Sequence, residues 1–142
     1  MIRTPENLAE WDEYFALRYK VLRAPWNQPV GSERDAGDTN AIHLAYFLNH
    51  EIIGVGRLDL IENQGAQVRY MAIQPAHQGR GVGKKIMLAL EQVAHDKGCK
   101  KMILHARENA LPFYYAVGYE KIEKSYVLFS EIQHYLMFKN LS

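Results

Sequence analysis

Hydrophobic residues recur at helical spacing in three parts of this chain, and between these parts they form denser, extended runs. Residues Pro5 to Arg23 carry apolar side chains three and four positions apart, as on one face of an amphipathic helix. Gly81 to Lys97 shows the clearest apolar stripe, and Gly98 follows it as a C-terminal stop. A short third helix is predicted over Ala110 to Val117.

The extended runs predict β-strands. Two of them, Ala41–Leu48 and Ile52–Leu60, flank the tripeptide Asn49-His50-Glu51 and therefore predict a hairpin. The remaining predicted strands are Gln67–Ile73, Lys101–Arg107 and the segment from Tyr119 onwards. This order of helices and strands predicts an α+β (mixed α/β) domain in which helices pack on a central sheet.

Composition narrows the class of protein without identifying it. The chain has 142 residues, a formal net charge of +1 and 48% hydrophobic residues, values typical of one globular domain, taken as residues 1–142. The balanced charge argues against a nucleic-acid partner, and no segment approaches the roughly 20 apolar residues of a membrane span. With Cys99 as the one cysteine, no intrachain disulfide and no metal site are expected. The N-terminus lacks a signal-peptide pattern, so we expect a cytoplasmic location.

The polar segment from Asn27 to Asn40 separates the first helix from the first hairpin. Long irregular loops in a small domain often serve a function. The acidic residues Glu33, Asp35 and Asp38 lie in this loop. They could attract a cationic amine, although solvated loop charge is the ordinary interpretation of such residues.

A glycine-rich segment, Gln78-Gly79-Arg80-Gly81-Val82-Gly83, follows a predicted strand and opens the clearest helix. Glycine allows positive φ and close approach of the backbone, and a helix start presents unpaired N–H groups with positive dipole character. Lys84 adds nearby positive charge. The segment therefore indicates an anion site, with a pyrophosphate as the natural ligand, although a flexible turn without a ligand is the alternative.

Two other phosphate motifs do not fit this segment. A P-loop requires a glycine five residues before the Gly-Lys pair and Ser or Thr after it, but this chain has Gln78 and Lys85 at those positions. The dinucleotide fingerprint G-x-G-x-x-G fails because the third glycine, Gly83, comes one residue early.

The run from Met71 to Gly83 resembles the acetyl-CoA signature of the GNAT superfamily, Arg/Gln-x-x-Gly-x-Gly/Ala. A second block, Asn109 to Tyr119, is similar to the same family's Asn-x-x-Ala-x-x-Phe-Tyr-x-x-x-Gly-Phe pattern, with its early spacing compressed. Together the blocks lie within residues 71–119 of the chain. Leu17 to Arg23, the acidic loop, His43 and Glu131 to His134 are more narrowly similar to the ElaA-like branch.

The resemblance implies a fold and a cofactor. The implied fold is a central mixed, mostly antiparallel sheet of six to seven strands flanked by about four helices. The implied co-substrate is acetyl-CoA, with its pantetheine arm along Met71 to Ile73 and its pyrophosphate at Gln78 to Lys84. Asn109 would bond the pantetheine or nearby backbone. The predicted cofactor-binding residues are Met71, Ala72, Ile73, Gln78, Gly79, Arg80, Gly81, Val82, Gly83, Lys84, Asn109 and Tyr114.

Acyl transfer from a thioester to an amine needs a neutral amine, a polarised carbonyl and a proton for the departing thiolate. The resemblance implies direct attack by the amine in a ternary complex, and it places Tyr114 as the acid. Histone-type relatives carry a Glu base where this chain has Gln67, which cannot titrate. The base remains open among His43, His134, Glu33 and Glu131, with water as an equal alternative.

The predicted function is N-acetylation of a primary amine on a small molecule or a peptide. Two alternatives stay open: a non-catalytic acyl-CoA-binding sensor or scaffold, and a nucleotide-binding module. The amine acceptor is not identified by any motif. The aromatic C-terminal strands could pair between subunits, so a homodimer is a further hypothesis.

Overall fold

Seven β-strands form one sheet in the computed structural model of this chain, which describes residues 1–141. The strands are β1 (Ile2–Arg3), β2 (Ile42–Leu48), β3 (Glu51–Ile61), β4 (Gly65–Ile73), β5 (Lys101–Arg107), β6 (Glu120–Leu128) and β7 (Ile132–Asn140). The α-helices are α1 (Leu8–Leu22), α2 (Val82–Asp96) and α3 (Leu111–Ala116). The mixed, mostly antiparallel α+β fold is confirmed, with three α-helices and short 3₁₀ turns where about four helices were expected.

The order of strands in the sheet is β1-β2-β3-β4-β5-β7-β6, and β4 and β5 form its parallel pair. Their pairing is short: Gly65 to Val68 lies opposite Lys101 to Leu104, and no pairing continues beyond these residues. Both strands nevertheless extend further, β4 to Ile73 and β5 to Arg107. The sheet therefore opens between them at their carboxyl ends.

A β-bulge accompanies this opening. Val55 of β3 pairs with Ala72, but Arg57 pairs with Arg69, so β4 contains one residue more than β3 in this interval. Tyr70 lies in the extra stretch with a positive φ of 54°. Because a bulge bends the strand that carries it, this irregularity directs the end of β4 away from β5.

Helix α2 packs directly on β3 because β3 presents glycine there. A Cβ atom added at Gly54 would lie 2.6 Å from Ile86 Cδ1 and 3.0 Å from Val82 Cγ1, and one added at Gly56 would meet Leu90 at 3.0 Å. The predicted stripe of α2 is confirmed at these three helical residues, which are buried. The contact fixes the first turn of α2 beside the end of β4.

Helix α1 covers the opposite face of the sheet. It begins after Asn7, whose Oδ1 accepts a hydrogen bond from the Glu10 backbone N–H at 2.9 Å. Its buried side chains are Tyr14, Leu17 and Arg18. Leu8, an apolar residue of the predicted helix, is exposed. The helix thus buries a polar cluster rather than a purely apolar stripe.

The acidic loop is fastened to this face by buried arginines. Asp38 accepts hydrogen bonds from Arg18 at 2.9 Å and Arg57 at 3.2 Å, and Asp35 accepts one from Arg57 at 2.6 Å. Glu33 is buried and bonds the Gly31 N–H at 2.7 Å. Asp35 and Asp38 therefore act as counter-ions of buried arginines, so free solvated charge is the wrong interpretation for them, whereas attraction of a cationic amine stays a prediction.

The predicted element boundaries hold to within a few residues. Lys101–Arg107 matches β5, and the helix predicted from Gly81 to Lys97 runs from Val82 to Asp96. Two details differ. The two-residue strand β1 was not predicted, and Glu91, a charged residue of the predicted helix, is buried and accepts a hydrogen bond from the Tyr119 hydroxyl at 3.0 Å.

Candidate active site

A cleft of about 410 Å³ occupies the opening between β4 and β5. Its walls include Met71 from β4, Arg107 from β5 and Tyr114 from α3. The end of α1, with Arg23 following it, and the hairpin β6–β7, with His134, close the far side. The cleft thus draws residues from both faces of the sheet.

Strand alternation decides which face each cleft residue belongs to. Met102, Leu104 and Ala106 of β5 pack in the core with α2 and α3, so His105 and Arg107 point to the face that α1 covers. His134 pairs with Arg107 across the β5–β7 ladder and shares that face. Tyr114 belongs to the core cluster on the α2 face. Tyr114 and His134 therefore reach the cleft from opposite sides of the sheet.

The glycine-rich segment lies at the start of α2, beside this opening. Gly79 and Gly81 have φ values of 77° and 82°, and a Cβ at either position would meet nothing within 4 Å. The first backbone bond of the helix runs from the Lys85 N–H to the Gly81 carbonyl at 3.1 Å. The N–H groups of residues 82–84 therefore have no partner one turn back in the helix and can bind an anion.

The remaining predicted cofactor residues lie in the loop before α2, at the end of β4, in α2 and after β5. The Gln78 side chain donates to the Ile73 carbonyl at 3.2 Å, which ties the loop to the end of β4. Met71 lines the cleft, Ala72 is buried, and Arg80, Lys84 and Asn109 are exposed. Because β5 pairs with β4 only as far as Val68, the cleft-side backbone groups of 69–73 are free of a strand partner and fit an extended amide-bearing chain.

Tyr114 is a buried side chain whose hydroxyl forms no hydrogen bond with any residue in the range 1–141. Its ring packs edge-to-face on Phe113 and Tyr119, with centroid distances of 4.9 and 5.9 Å. Burial raises the pKa of Tyr114 to about 12, against an opposing effect of Arg107. At neutral pH the phenol is protonated and can donate its proton into the cleft.

His134 is held in one orientation by two contacts. Its Nδ1 donates to the Ile132 carbonyl at 3.0 Å, and its ring stacks on Tyr126 at a centroid distance of 4.4 Å. Since Nδ1 carries the proton, Nε2 keeps a lone pair. Burial, Arg107, His105 and Arg23 all lower the pKa of His134, outweighing the opposing effect of the Ile132 carbonyl. The imidazole is therefore a neutral base at pH 7.

His43 has a different environment. Its Nδ1 contacts the Tyr14 hydroxyl at 2.9 Å and its Nε2 the Asp38 carbonyl at 2.8 Å, so both ring nitrogens are engaged. It lies on β2, outside the cleft lining, and burial lowers its pKa. Glu33 is paired within the loop, and Glu131 is an exposed turn residue. Only His134 and Gln67 of the residues weighed for the base line the cleft.

Several cleft residues carried no recognisable motif. His105 has a buried Nδ1 with no hydrogen-bond partner within residues 1–141, and its pKa is lowered by burial and by Arg69. Arg107 and Arg23 line the same cleft. The alternation of β5 gave the available signal, because its polar residues share one face. It could not show that this face borders an opening.

The sequence model of the acetyltransferase (GNAT) family matches residues 8–119. The chain belongs to this family, and it is an enzyme of the acyltransferase class, as the two sequence blocks predicted.

Relatives agree with this assignment. The chain is 30% identical over 135 residues to the uncharacterized N-acetyltransferase YjcF of Bacillus subtilis (strain 168), covering 95% of this chain and 96% of that protein. Its fold resembles Escherichia coli ElaA, with a TM-score of 0.82, 19% identity and coverage of 98% and 99%. It also resembles an aminoglycoside 6'-N-acetyltransferase complexed with coenzyme A, with a TM-score of 0.83, 14% identity and coverage of 99% and 96%. The two structural likenesses are likenesses of fold.

Two features are absent from residues 1–141, the part of the chain that the structure describes. No helix within residues 1–141 is long and apolar enough to cross a membrane. Over the same residues, no three or more His, Cys, Asp or Glu side chains are grouped so as to hold a metal ion.

Proposed function

We infer that this protein transfers an acetyl group from acetyl-CoA to a primary amine of a small molecule or a peptide, by direct attack of the amine within a ternary complex. One observation carries this inference. The cleft between β4 and β5 is lined by a protonated phenol from one face of the sheet and a neutral imidazole from the other. These are the two proton-transfer groups that the reaction needs, on the two sides from which its partners would arrive.

The start of α2 supports acetyl-CoA as the acyl donor. Its free N–H groups and the open space beside Gly79 and Gly81 suit a pyrophosphate. The unpaired edge of β4 from Arg69 to Ile73 suits the pantetheine amides, and a backbone N–H there would polarise the thioester carbonyl. Acetyl-CoA supplies the activated acyl group; the chain supplies position and proton transfer.

Tyr114 takes the role of the acid. Its hydroxyl is free and its raised pKa keeps it protonated at neutral pH. It can therefore hydrogen-bond the departing thiolate and donate its proton to it, and the phenolate then regains a proton from solvent. His134 takes the role of the base. Its Nε2 accepts the proton that the attacking amine loses, and the resulting imidazolium retains its Nδ1–H bond to the Ile132 carbonyl.

A thermal-shift comparison followed by a thiol-release assay tests this function. We expect acetyl-CoA to raise the melting temperature more than ATP or NAD does. We also expect thiol release from acetyl-CoA to depend on an added primary amine. Tight acetyl-CoA binding without thiol release over a broad amine panel would instead indicate a sensor or scaffold, and stronger protection by ATP or NAD would indicate a nucleotide-binding module.

A further inference from the structure

Positive charge collects in the cleft on the face that the amine would approach. Three guanidinium groups line it, those of Arg23, Arg69 and Arg107. Among the cleft-lining residues of the described chain there is no Asp or Glu. A site built to receive a polycation would present carboxylates instead, because opposite charges stabilise such ligands.

Arg107 and Arg23 have no carboxylate partner within residues 1–141. Arg107 donates to the Leu22 carbonyl at 3.2 Å, and Arg23 donates to the carbonyls of Ser32 at 3.0 Å and Leu22 at 3.1 Å. Burial and the charge of Arg23 lower the pKa of Arg107. Two guanidinium groups are thus held near each other, partly out of water, with only neutral acceptors.

The buried arginines of the same face, Arg18 and Arg57, are arranged differently. Arg18 is paired with Asp38, and Arg57 with Asp35, Asp38 and Asp59, at distances of 2.6 to 3.2 Å. Arg69 reaches Asp59 at 3.3 Å. Buried charges are ordinarily neutralised in this way. The absence of such a partner at Arg23 and Arg107 indicates that the missing anion comes from a ligand.

That ligand is not the donor pyrophosphate. The pyrophosphate cradle lies at the start of α2, on the face where Leu104 and Ala106 pack. Arg107 alternates with these residues along β5 and points to the opposite face, toward the end of α1. The guanidinium groups therefore border the acceptor side of the cleft.

We propose that the acceptor is a primary amine that also carries an acidic group, a carboxylate or a phosphate, which Arg107 and Arg23 bind. A guanidinium donates two parallel N–H groups to either anion, so the site would orient the molecule and not merely attract it. The same positive charge disfavours protonation of the bound amine. This favours the reaction, because the amine must be neutral to attack the thioester. This proposal rests on the acetyltransferase function inferred above.

Matched amines that differ in the acidic group test the proposal. The pairs are β-alanine with propylamine, and O-phosphoethanolamine with ethanolamine; spermidine serves as a polycation. We expect kcat/KM for thiol release to be about tenfold or more greater for at least one acidic member than for its neutral partner. A difference in kcat/KM within the β-alanine pair indicates a carboxylate site, and a difference within the O-phosphoethanolamine pair indicates a phosphate site. Equal rates within each pair, or a preference for spermidine, would overturn the proposal.

A charge-removing variant locates the effect. Arg107→Met should raise the KM for the preferred acidic amine about tenfold and change the KM for acetyl-CoA less than about twofold. It should also reduce the preference, in kcat/KM, for the acidic amine over its neutral partner. Lys97→Met, which removes an exposed charge at the end of α2, is the matched control. Arg107→Lys should recover part of the affinity, because it restores charge without the two-pronged geometry. A parallel rise in the KM for acetyl-CoA would contradict the placement.

A binding readout separates this proposal from the proposed function. If no amine supports thiol release, melting temperatures are compared in the presence of coenzyme A with each of the four paired amines. A melting temperature that rises only with β-alanine or O-phosphoethanolamine, and does not rise in Arg107→Met, would support the anion site. The same result would reject the acetyltransferase function. No difference between acidic and neutral amines would reject the anion site itself.

Discussion

We propose different roles for His43 and His134 because their ring nitrogens are differently engaged. Both nitrogens of His43 are within hydrogen-bond distance of a partner, whereas His134 uses Nδ1 and leaves Nε2 toward the cleft. Both are buried strand residues with a lowered pKa. Burial alone therefore does not distinguish a base from a structural residue. The distinction comes from whether one ring nitrogen lacks a hydrogen-bond partner.

His134→Gln tests the base. We expect kcat/KM to fall about 10²- to 10⁴-fold, because the amine loses its proton acceptor. In the wild type, kcat/KM should decrease as pH falls through a pKa below 6.5, since protonated His134 cannot accept a proton. The charged or titratable groups facing it, Arg107, His105, Tyr126 and Arg23, do not supply a carboxylate that would raise this pKa. The acidic limb should disappear in the variant.

Two comparisons make the His134 test specific. His95→Gln, at an exposed position on α2, should leave the rate unchanged. His105→Gln should have a much smaller effect than His134→Gln; a larger effect would move the role of base to His105. Full activity in His134→Gln, with the acidic limb retained, would favour transfer of the proton to water.

At this scale the sequence predicted residues that lie in motifs and missed those that depend on the fold. Tyr114 stood out because it lies in a recognised block. His105 and Arg107 did not, since nothing local distinguishes a polar strand face bordering a cleft from one in solvent. The pairing of Asp35 and Asp38 with Arg57, about 20 residues away along the chain, is likewise a tertiary event.

The start of α2 is the element most directly tied to donor binding. Gly81 and Gly98 flank this helix with φ values of 82° and 83°, and neither Cβ would meet an atom within 4 Å. Alanine at either position should therefore cost about 1–2 kcal/mol of stability. Gly81→Ala alone should also raise the KM for acetyl-CoA, about tenfold, if the loop that contains Gly81 holds the pyrophosphate as proposed. Equal KM values in the two variants would place the donor elsewhere.

The acidic loop is the second element whose role can be measured. Arg57→Met removes the buried cation that Asp35, Asp38 and Asp59 share. Asp38 keeps Arg18 and Asp59 keeps Arg69, but Asp35 loses its cation, and the free energy of unfolding should fall by about 3 kcal/mol in urea titration. Arg69→Met removes a half-exposed guanidinium from the same network and should cost less than about 1 kcal/mol. A loss in Arg57→Met no larger than in Arg69→Met would show that the loop is not fastened by this ion network.

Helices and strands were predictable because their periodicity is local, but the opening between β4 and β5 was not. It depends on the bulge at Tyr70, where a non-glycine residue takes a positive φ that no sequence pattern required. Strand β1 is two residues long, too short to show a period. The motif could thus single out the glycine-rich segment, whereas the shape of the cleft depends on how the strands of the sheet pair.

For the whole molecule, three histidines set a shared dependence of stability on pH. Burial lowers the pKa values of His43, His105 and His134, so below pH 6.5 the unfolded chain binds protons that the folded chain does not. Stability should therefore fall as pH drops from about 7.5 to 5.5, as measured by urea unfolding at both values. An equal or greater free energy of unfolding at pH 5.5 would contradict the buried, neutral state of these rings.

The central claim, that the cleft between β4 and β5 carries out acyl transfer, depends most directly on Tyr114. Tyr115, its neighbour on α3, is exposed and provides the matched control. The measurement is kcat for thiol release from saturating acetyl-CoA by Tyr114→Phe and Tyr115→Phe, with melting temperatures of both. We predict a loss of about 10²-fold or more in Tyr114→Phe and an unchanged rate in Tyr115→Phe. Full activity in a folded Tyr114→Phe would contradict the account.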